Sequence, residues 1–342
     1  MKGILIVNLG SPDSPEPKDV RTYLDEFLMD ERVIDMAYWK RFLLVKGIIL
    51  NTRPKKSAAA YQKIWWDEGS PLVVISERFK DKVDLKIDAP VALAMRYGSM
   101  SIEKGLKELA DKGATDIFVM PMYPHYAMSS YETVEVKVKE VAAKQHPEMH
   151  LDFLPPFYDN PDYIDVLAES ISEIYNNKDF DHLLFSYHGI PERHILKSDP
   201  TKSHCKLDGQ CCQTANKQAH AKCYRHQCYT TTRLVAEKLG LKPEEHSVSF
   251  QSRLLKDPWL KPYTDFELED FAKKEDKKRM SVVTPAFVAD CLETLEEIAM
   301  EGKEDFLEAG GTAYEHIPCL NDKDRWVDIS VKWINDWMNS KN

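Results

Sequence analysis

The sequence predicts an α/β protein made of two doubly wound halves, each built around a parallel β-sheet. Short runs rich in Val, Ile and Leu alternate with longer amphipathic stretches, a pattern typical of strand–helix–strand units with short joins. The proline-rich stretch PPFYDNPD (155–162) interrupts this alternation, which then restarts. We therefore expect a first domain over 1–158 and a second domain over 159–320.

The first half begins with the predicted strand ILIVNLG (4–10), which ends in a Gly-Ser-Pro turn. A helix is predicted over 17–29, because its apolar residues recur at helical spacing: Val20, Leu24, Phe27 and Leu28. Strand 90–98, helix 101–113 and strand 116–124 then follow one another with short joins. This succession indicates a parallel sheet, since parallel strands need a helical crossover.

The second half repeats the pattern with helix 163–175, strand 182–190, helix 230–240, strand 246–252, strand 279–287 and helix 288–302. A last helix is predicted over 322–338, with these apolar residues at helical spacing: Trp326, Ile329, Trp333 and Trp337. Such a stripe favours core packing, and we expect this helix to pack back on the first domain.

Composition and charge narrow the class of protein. The 342 residues are 43% hydrophobic and 30% charged, with a formal net charge of -10, which indicates an acidic globular protein. Nucleic-acid binding needs clustered basic residues, so the charge argues against it. The chain starts with a short apolar run that reads as a buried strand and not as a signal peptide, so a cytoplasmic protein is expected.

Parallel α/β sheets bind ligands at the carboxyl ends of their strands, so we expect an active-site cleft between the two halves. The residues that follow the predicted strands are Gly10-Ser11-Pro12, Arg96-Tyr97-Gly98, Met122-Tyr123-Pro124, His188-Gly189, Gln251-Ser252 and Pro285-Ala286-Phe287. Neither a G-x-G-x-x-G after the first strand nor a phosphate-binding P-loop motif is present, so a nucleotide enzyme is disfavoured.

The strand ends offer an imidazole and a row of carboxylates. His188 ends an apolar strand, and it is either a hydrogen-bonded strand-end residue or a base or metal ligand, two roles to which histidine side chains in general are suited. Asp290, Glu293 and Glu297 lie at i, i+3 and i+7, which stacks them on one helix face. They form either a solvated stripe or a row that relays protons or a hard cation.

Arg96 and several aromatic residues also lie near strand ends. Arg96 either pairs with an acid of the fold or binds a substrate carboxylate through two hydrogen bonds. Single aromatic residues here are usually packing residues, but together they could line a flat apolar pocket: Tyr123, Tyr126, Trp259 and Phe287.

Taken together, the strand-end motifs resemble those of ferrochelatases, in the family's order and over nearly the whole chain. They are NLGSPDSPEPKDVRTYLDEFLMDERVI (8–34), EGSPL (68–72), AMRYG (94–98), PMYPHY (121–126), SYHGIP (186–191), FQSRLLKDPWLKPYT (250–264) and PAFVADCLETLEEI (285–298). The resemblance implies a lyase with two chelatase-type, Rossmann-like halves that inserts ferrous iron into a porphyrin in haem biosynthesis.

The resemblance also implies roles for individual residues. His188 matches the family's active-site histidine, and Glu293 matches the glutamate across the porphyrin, so both are expected to meet the substrate iron. Asp290 and Glu297 match the acidic row that leads away from it. The expected porphyrin contacts are Leu9, Arg96, Tyr123, Ser129, Trp259 and Phe287.

Where many members have histidine after the aspartate, this chain has Cys291, as a bacterial subgroup does. This change and the matching core favour protoporphyrin IX as the substrate, with coproporphyrin as the alternative. A non-catalytic porphyrin or haem carrier and a cobalt or sirohydrochlorin chelatase are the other hypotheses.

A cysteine-rich insert over 200–228 contains five of the seven cysteines: Cys205, Cys211, Cys212, Cys223 and Cys228. The insert is basic inside an acidic protein, which favours thiolates. The spacing from Cys205 to Cys211 suits iron–sulfur ligation better than zinc pairs. Because some ferrochelatases carry a [2Fe–2S] cluster in a similar insert, four of these cysteines are expected to hold one. Cys211 and Cys212 are adjacent, and the sequence does not distinguish which of the two is a ligand. A zinc site, and cysteines that are reduced or disulfide-bonded, are the alternatives.

The stretch YWKRFLLVKGIIL (38–50) is apolar with interspersed basic residues. It resembles the lip over the family's porphyrin pocket, and it predicts either contact with a membrane surface or an ordinary core helix.

Overall fold

The computed structural model describes residues 1–176, 179–254 and 257–340, so Leu255 and Lys256 of the FQSRLLKDPWLKPYT motif lie outside the described residues. The chain divides into two compact units. The first unit comprises Met1–Met122, Met128–Pro155 and the chain from Asn321 onward. The second unit comprises Tyr123–Ala127 and Pro156–Leu320.

The first unit is built on a parallel four-stranded sheet in the order β2-β1-β3-β4. Its strands are β1 (Lys2–Gly10), β2 (Val91–Tyr97), β3 (Asp116–Pro121) and β4 (His150–Phe153). The central strand β1 is apolar and buried from Ile4 to Val7, as expected for a strand covered on both faces.

The helices of the first unit are α1 (Pro17–Leu28), α2 (Tyr38–Leu44), α3 (Leu50–Ile64), α4 (Pro71–Asp84), α5 (Ile102–Asp111), α6 (Thr133–Gln145) and α13 (Asp324–Ser340). Two π-helical turns, Val45–Ile49 and Met128–Glu132, connect or precede these helices. Helix α13 packs on this unit through stacked aromatic pairs, Trp326 with Phe79 and Trp337 with Phe118. The tryptophan stripe is therefore a core contact.

The second unit repeats the topology with a parallel sheet in the order β6-β5-β7-β8. Its strands are β5 (His182–His188), β6 (His246–Gln251), β7 (Arg279–Val283) and β8 (Ala313–Ile317). In both sheets the first strand lies between the second and the third, so the two halves share one winding order. The predicted α/β class with two parallel sheets is thus confirmed.

The helices of the second unit are α7 (Pro161–Tyr175), α8 (Glu192–Ser198), α9 (Lys217–His220), α10 (Tyr224–Leu239), α11 (Thr264–Ala272) and α12 (Gly302–Glu308), with short 3₁₀ turns at Gln210–Cys212 and Pro243–Glu245. One face of its sheet packs a fully buried core that includes Leu184, Met280, Val282, Phe306 and Ile298.

Two predicted elements differ from the observed ones for a physical reason. The strands expected over 116–124 and 279–287 end earlier, at Pro121 and Val283. Pro121, Pro124 and Pro285 have no N–H to donate to a sheet ladder, so the chain leaves the sheet at these points.

The α-helix predicted over 288–302 also differs from the observed structure. Residues Glu293–Glu301 form a π-helix, and an α-helix begins only at Gly302. Single π-helical turns are uncommon and often occur at functional sites.

Among the described residues, no helix is both long enough and apolar enough to cross a membrane.

Two buried histidines of the second unit should make its stability fall in acid. His125 and His182 are each 2% exposed, and burial lowers their pKa values to about 3 and about 4. In the unfolded chain they bind protons near pH ~6.5. Their stabilisation is therefore present above that pH and is lost as the pH falls toward 4. We expect the free energy of unfolding to fall by about 2 kcal/mol per histidine between pH ~7 and ~5, measured by urea denaturation.

A His125→Gln variant provides the control for this pH dependence. Its amide can keep a hydrogen bond to Thr231, which contacts His125 Nε2 at 2.9 Å, but it cannot titrate. In this variant the fall in the free energy of unfolding between pH ~7 and ~5 should be smaller by the contribution of His125 alone, about 2 kcal/mol. An unchanged pH dependence would contradict the prediction.

Candidate active site and cysteine cluster

The carboxyl ends of β5 and β6 bring the candidate catalytic residues of the second unit together. His188 is the last residue of β5, and it pairs in register with Gln251, the last residue of β6. The Gly189 N–H donates to the Gln251 carbonyl at 2.6 Å. A Cβ at Gly189 would lie 2.9 Å from the Ser252 carbonyl oxygen, so glycine is required at this close approach.

The contacts of His188 define which of its nitrogens is available. Its Nδ1 lies 2.6 Å from the Gly189 carbonyl oxygen, and a carbonyl can only accept, so Nδ1 carries the hydrogen. Nε2 of the neutral ring therefore keeps its lone pair, as a base requires. The Tyr224 hydroxyl donates to the His188 carbonyl at 2.9 Å, and the Phe287 ring lies 6.3 Å from the imidazole.

Glu293 and Glu297 lie on the π-helix, whose wide turn puts residues four or five positions apart on one face. Burial is the main influence on Glu297 and raises its pKa, whereas the charge of His188 lowers the pKa and that of Glu293 raises it. These three groups therefore interact electrostatically within the second unit. The structure thus brings together the predicted imidazole and two of the three predicted carboxylates.

Glu297 is held by the residue that follows β6. The Ser252 N–H donates to Glu297 Oε1 at 2.8 Å, and the Ser252 hydroxyl donates to Oε2. Next to it, Gln251 Nε2 donates to the Glu293 carbonyl at 3.1 Å. The sequence located Gln251 and Ser252 at a strand end but assigned them no role, because nothing local indicates that they reach the π-helix.

Asp290 has a different environment. It is 4% exposed, and its Oδ1 accepts hydrogen bonds from the Thr294 hydroxyl at 2.8 Å and from the Cys319 N–H at 3.3 Å. These contacts tie the start of the helix to the chain after β8. Cys291 is also buried, and burial raises the pKa of its thiol well above the ordinary value. Cys291 is therefore a neutral packing residue.

The aromatic candidates of the second unit are partly or fully buried. Trp259 is half-buried, and its indole Nε1 donates to the Leu254 carbonyl at 2.9 Å. Residues Pro191 and Trp259 form an isolated β-bridge, which places the indole beside the loop after β5. Tyr123 is buried in the same unit, whereas Phe287 is half-buried.

Three candidates lie in the first unit. Leu9 is half-buried near the end of β1, and Ser129 is half-buried in the π-helical turn Met128–Glu132. The Arg96 guanidinium pairs with Asp30, and its Nε donates to the Thr133 hydroxyl at 2.8 Å. The Arg96 and Asp30 side chains are 11% and 6% exposed, so Arg96 has the fold partner that the sequence left as one of two alternatives.

Substituting Arg96 should therefore affect stability as well as any porphyrin contact. Arg96→Ala leaves the buried Asp30 carboxylate without its cation, which should lower the free energy of unfolding by about 3 kcal/mol, measured by urea denaturation. A double variant, Arg96→Met with Asp30→Leu, removes both charges and should recover most of that loss. Wild-type porphyrin affinity in the double variant would limit Arg96 to the fold, whereas weakened affinity would support the predicted contact.

The cysteine-rich insert brings four thiols together in two pairs. Cys205 is in hydrogen-bonding contact with Cys211, and Cys212 with Cys223. The hydrogen bond from Cys212 lowers the pKa of Cys223 to about 7, with further help from backbone N–H groups and the charge of Arg225. Cys228 is fully buried and contacts Tyr224 instead.

Polar side chains fix the backbone of this insert. Asp199 accepts hydrogen bonds from the N–H groups of Thr201, His204 and Cys205, at 2.9 to 3.0 Å. These donors lower the pKa of Asp199 to about 2, although burial opposes them. Imidazole nitrogens of His204 and His226 lie 2.8 Å from the carbonyl oxygens of Cys211 and Cys212, respectively. The sequence gave no signal for these histidine contacts.

Among residues 1–176, 179–254 and 257–340, no group of three or more His, Cys, Asp or Glu side chains is arranged to hold one metal ion.

Comparisons with known proteins agree with this arrangement of motifs. The family model described as ferrochelatase matches residues 1–337. The ferrochelatase of Opitutus terrae is 49% identical over 340 residues, which covers 98% of this chain and 98% of that protein. The ferrochelatase of Ectopseudomonas mendocina is 49% identical over 325 residues, or 95% of this chain and 94% of that protein.

Solved structures provide a comparison of fold alone, because their sequence identity is low. SirB from Bacillus subtilis with Fe3+ has a TM-score of 0.55 and 11% identity, covering 98% of this chain and 94% of that one. The sirohydrochlorin chelatase SirB from Bacillus subtilis subspecies spizizenii, in complex with cobalt, has a TM-score of 0.54 at the same identity and coverage.

Proposed function

Because the chain belongs to the ferrochelatase family, we propose that it inserts ferrous iron into protoporphyrin IX, using His188, Glu293 and Glu297. Iron insertion into a porphyrin, a lyase reaction of haem biosynthesis, follows from the family. The choice of protoporphyrin and the roles of the residues are our proposal. The observation that carries it is the hydrogen bonding at the end of β6, where Gln251 lies in register with His188. Gln251 donates to the Glu293 carbonyl at 3.1 Å, and the Ser252 N–H donates to the Glu297 carboxylate at 2.8 Å.

The chemistry needs these groups. As Fe2+ enters the ring, the porphyrin loses the two protons of its pyrrole N–H groups, so two acceptors are required. In our proposal the Nε2 lone pair of His188 takes one proton and the Glu293 carboxylate takes the other. Imidazole and carboxylate groups are also ordinary ligands for divalent iron, so they suit its approach to the ring.

The buried carboxylates divide into two kinds in this proposal. Glu297 interacts with His188 and Glu293, so we assign it to the approach of iron. Asp290 is occupied by Thr294 and the Cys319 N–H, which supports a role in holding the start of the helix. The contacts of porphyrin with Leu9, Tyr123, Ser129, Trp259 and Phe287 stay predictions.

An anaerobic insertion assay tests the proposal. The purified protein is mixed with ferrous iron and either protoporphyrin IX or coproporphyrin, and in a separate reaction with cobalt and sirohydrochlorin. The absorbance spectrum follows the formation of the metallated product. Faster turnover of protoporphyrin is the expected result, and a preference for coproporphyrin would correct the substrate. Porphyrin binding without turnover of either would indicate a carrier, whereas turnover only of cobalt with sirohydrochlorin would indicate the other chelatase class.

We also propose that the insert holds a [2Fe–2S] cluster through Cys205, Cys211, Cys212 and Cys223. Such a cluster takes four thiolates, two for each iron, and the two pairs of neighbouring thiols suit that requirement. The lowered pKa of Cys223 and the nearby Arg225 favour a thiolate at Cys223. The pKa of Cys205 is raised by burial and that of Cys212 by its hydrogen bond to Cys223, so these two thiols would lose their protons on binding the irons. When bound, a cluster of this kind can accept one electron and ties its loop to the fold.

Membrane contact is the last part of the proposal. The side chains of Tyr38, Trp39, Leu43 and Ile48 are at least 60% exposed, and Lys40 and Lys46 lie among them in the sequence. Exposed aromatic and aliphatic side chains with basic neighbours favour an interfacial surface. Co-sedimentation with anionic vesicles, compared between the wild type and Trp39→Ser, tests this contact.

A further inference from the structure

We propose that Ser252 is a positioning residue of the iron-insertion site, which fixes the orientation of the Glu297 carboxylate through two hydrogen bonds. The inference rests on the proposed function of Glu297 in iron approach and extends it to a residue with no assigned role. It is supported by the contacts of both carboxylate oxygens, by the backbone conformation of Ser252 and by the anchoring of its neighbour.

Both oxygens of Glu297 are used in this arrangement. Oε1 accepts the Ser252 N–H at 2.8 Å, and Oε2 accepts the Ser252 hydroxyl. Two donors from one residue fix the plane of the carboxylate as well as its position. Since neutral donors orient the group without cancelling its charge, a divalent cation still meets an anionic ligand.

The backbone of Ser252 is in an unusual conformation at this point. Its φ is 59°, in the left-handed region that residues other than glycine rarely adopt. Strained residues of this kind cluster at functional sites when the surrounding structure holds them in place. Glycine would adopt the conformation freely but has no hydroxyl, so serine is the choice that supplies both donors.

The neighbouring Gln251 fixes the position of the chain next to Ser252. Its side-chain carbonyl accepts the Ser186 hydroxyl at 2.9 Å, and its amide donates to the Glu293 carbonyl at 3.1 Å. The adjacent Arg253 makes its side-chain hydrogen bonds to both oxygens of Asp265, at 2.9 and 2.7 Å, and reaches Glu297 only through its charge. The Gln251-Ser252 pair thus connects the end of β6 to both carboxylate-bearing turns of the π-helix.

The first test is Ser252→Gly, which keeps the N–H and the backbone conformation and removes only the hydroxyl. We expect the KM for ferrous iron to rise about tenfold, with the KM for protoporphyrin and the melting temperature unchanged. Lys202→Gly is the matched control, because Lys202 also has a left-handed φ of 57° and lies in the insert. It should leave both KM values at the wild-type level.

A second pair of variants separates orientation from packing. Asn and Asp have nearly the same shape and both tolerate the left-handed region, but only Asn offers N–H donors to Glu297. Ser252→Asn should bring the KM for ferrous iron most of the way back to the wild-type value. Ser252→Asp should be worse than Ser252→Gly, because its carboxylate repels Glu297.

The outcomes distinguish this inference from the proposed function. If the wild type inserts no iron into either porphyrin, the proposed function itself fails. If the wild type is active and Ser252→Gly keeps its iron KM within about twofold, or Asn and Asp behave alike, the positioning role is overturned.

Discussion

His188→Ala and Glu293→Gln should each lower the rate of iron insertion by about 10²- to 10⁴-fold while the protein stays folded. This is the range that a positioned acid or base contributes to a proton transfer. His188→Ala removes the only imidazole lone pair that we assign to a pyrrole proton, and Glu293→Gln removes a proton acceptor of the same size and shape. Anaerobic initial rates at saturating protoporphyrin and ferrous iron measure the effect.

The control for this loss is Glu304→Gln, which removes an exposed carboxylate from the following helix α12 and should leave the rate unchanged. Each variant should also melt at the wild-type temperature, since His188 and Glu293 lie at strand and helix ends and not in the core. Near-normal insertion by either folded variant would exclude the role that we assign to it. A large fall in melting temperature would instead make that residue part of the fold.

The strand ends were predictable from the sequence because the signal there is local. Runs of strand length located His188, Gln251 and Arg96 near the carboxyl ends of strands, and β5, β6 and β2 end within a residue of them. Gly189 and Gly98 marked two of these three ends in the sequence. The periodicity of the last helix likewise indicated the tryptophan stripe, which packs on Phe79 and Phe118. The sequence therefore predicted the positions of residues whose secondary structure depends on their near neighbours in the chain.

The partners of these residues were not predictable, because they are distant in the sequence. Asp30, which pairs with Arg96, lies in another motif, and Glu297 meets Ser252 from a different element. The π-helix has no local signature either, since ETLEEIAME has the composition of an ordinary α-helix. The left-handed φ of Ser252 also escapes sequence patterns, which indicate that conformation mainly through glycine.

In the cysteine insert, too, the sequence could not predict which residues contact one another. The sequence identified five clustered cysteines but could not separate ligands from a spare thiol, and it singled out the adjacent Cys211 and Cys212 as the ambiguous pair. In the structure these two lie in a 3₁₀ turn, whose successive side chains point about 120° apart. Cys211 therefore meets Cys205 while Cys212 meets Cys223, and Cys228 is the thiol that lies apart.

The cluster prediction follows from that pairing. Anaerobically purified protein should be red-brown and contain about two irons and two acid-labile sulfides per chain. Serine at any one of Cys205, Cys211, Cys212 or Cys223 should bleach the protein and lower its melting temperature, because cluster binding and the folding of the insert are coupled. Iron and sulfide analysis with visible absorbance measures the loss.

Cys228→Ala is the matched control, because it removes a cysteine of the same insert that contacts Tyr224 and lies outside the two pairs. It should keep its colour, iron and sulfide, even if the lost packing of a buried thiol lowers the melting temperature slightly. Bleaching by Cys228→Ala together with a coloured Cys211→Ser or Cys212→Ser would show that the ligand set is different. Colourless wild-type protein with one zinc and no sulfide would reject the cluster, and because His188, Glu293 and Glu297 lie outside the insert, iron insertion should still proceed.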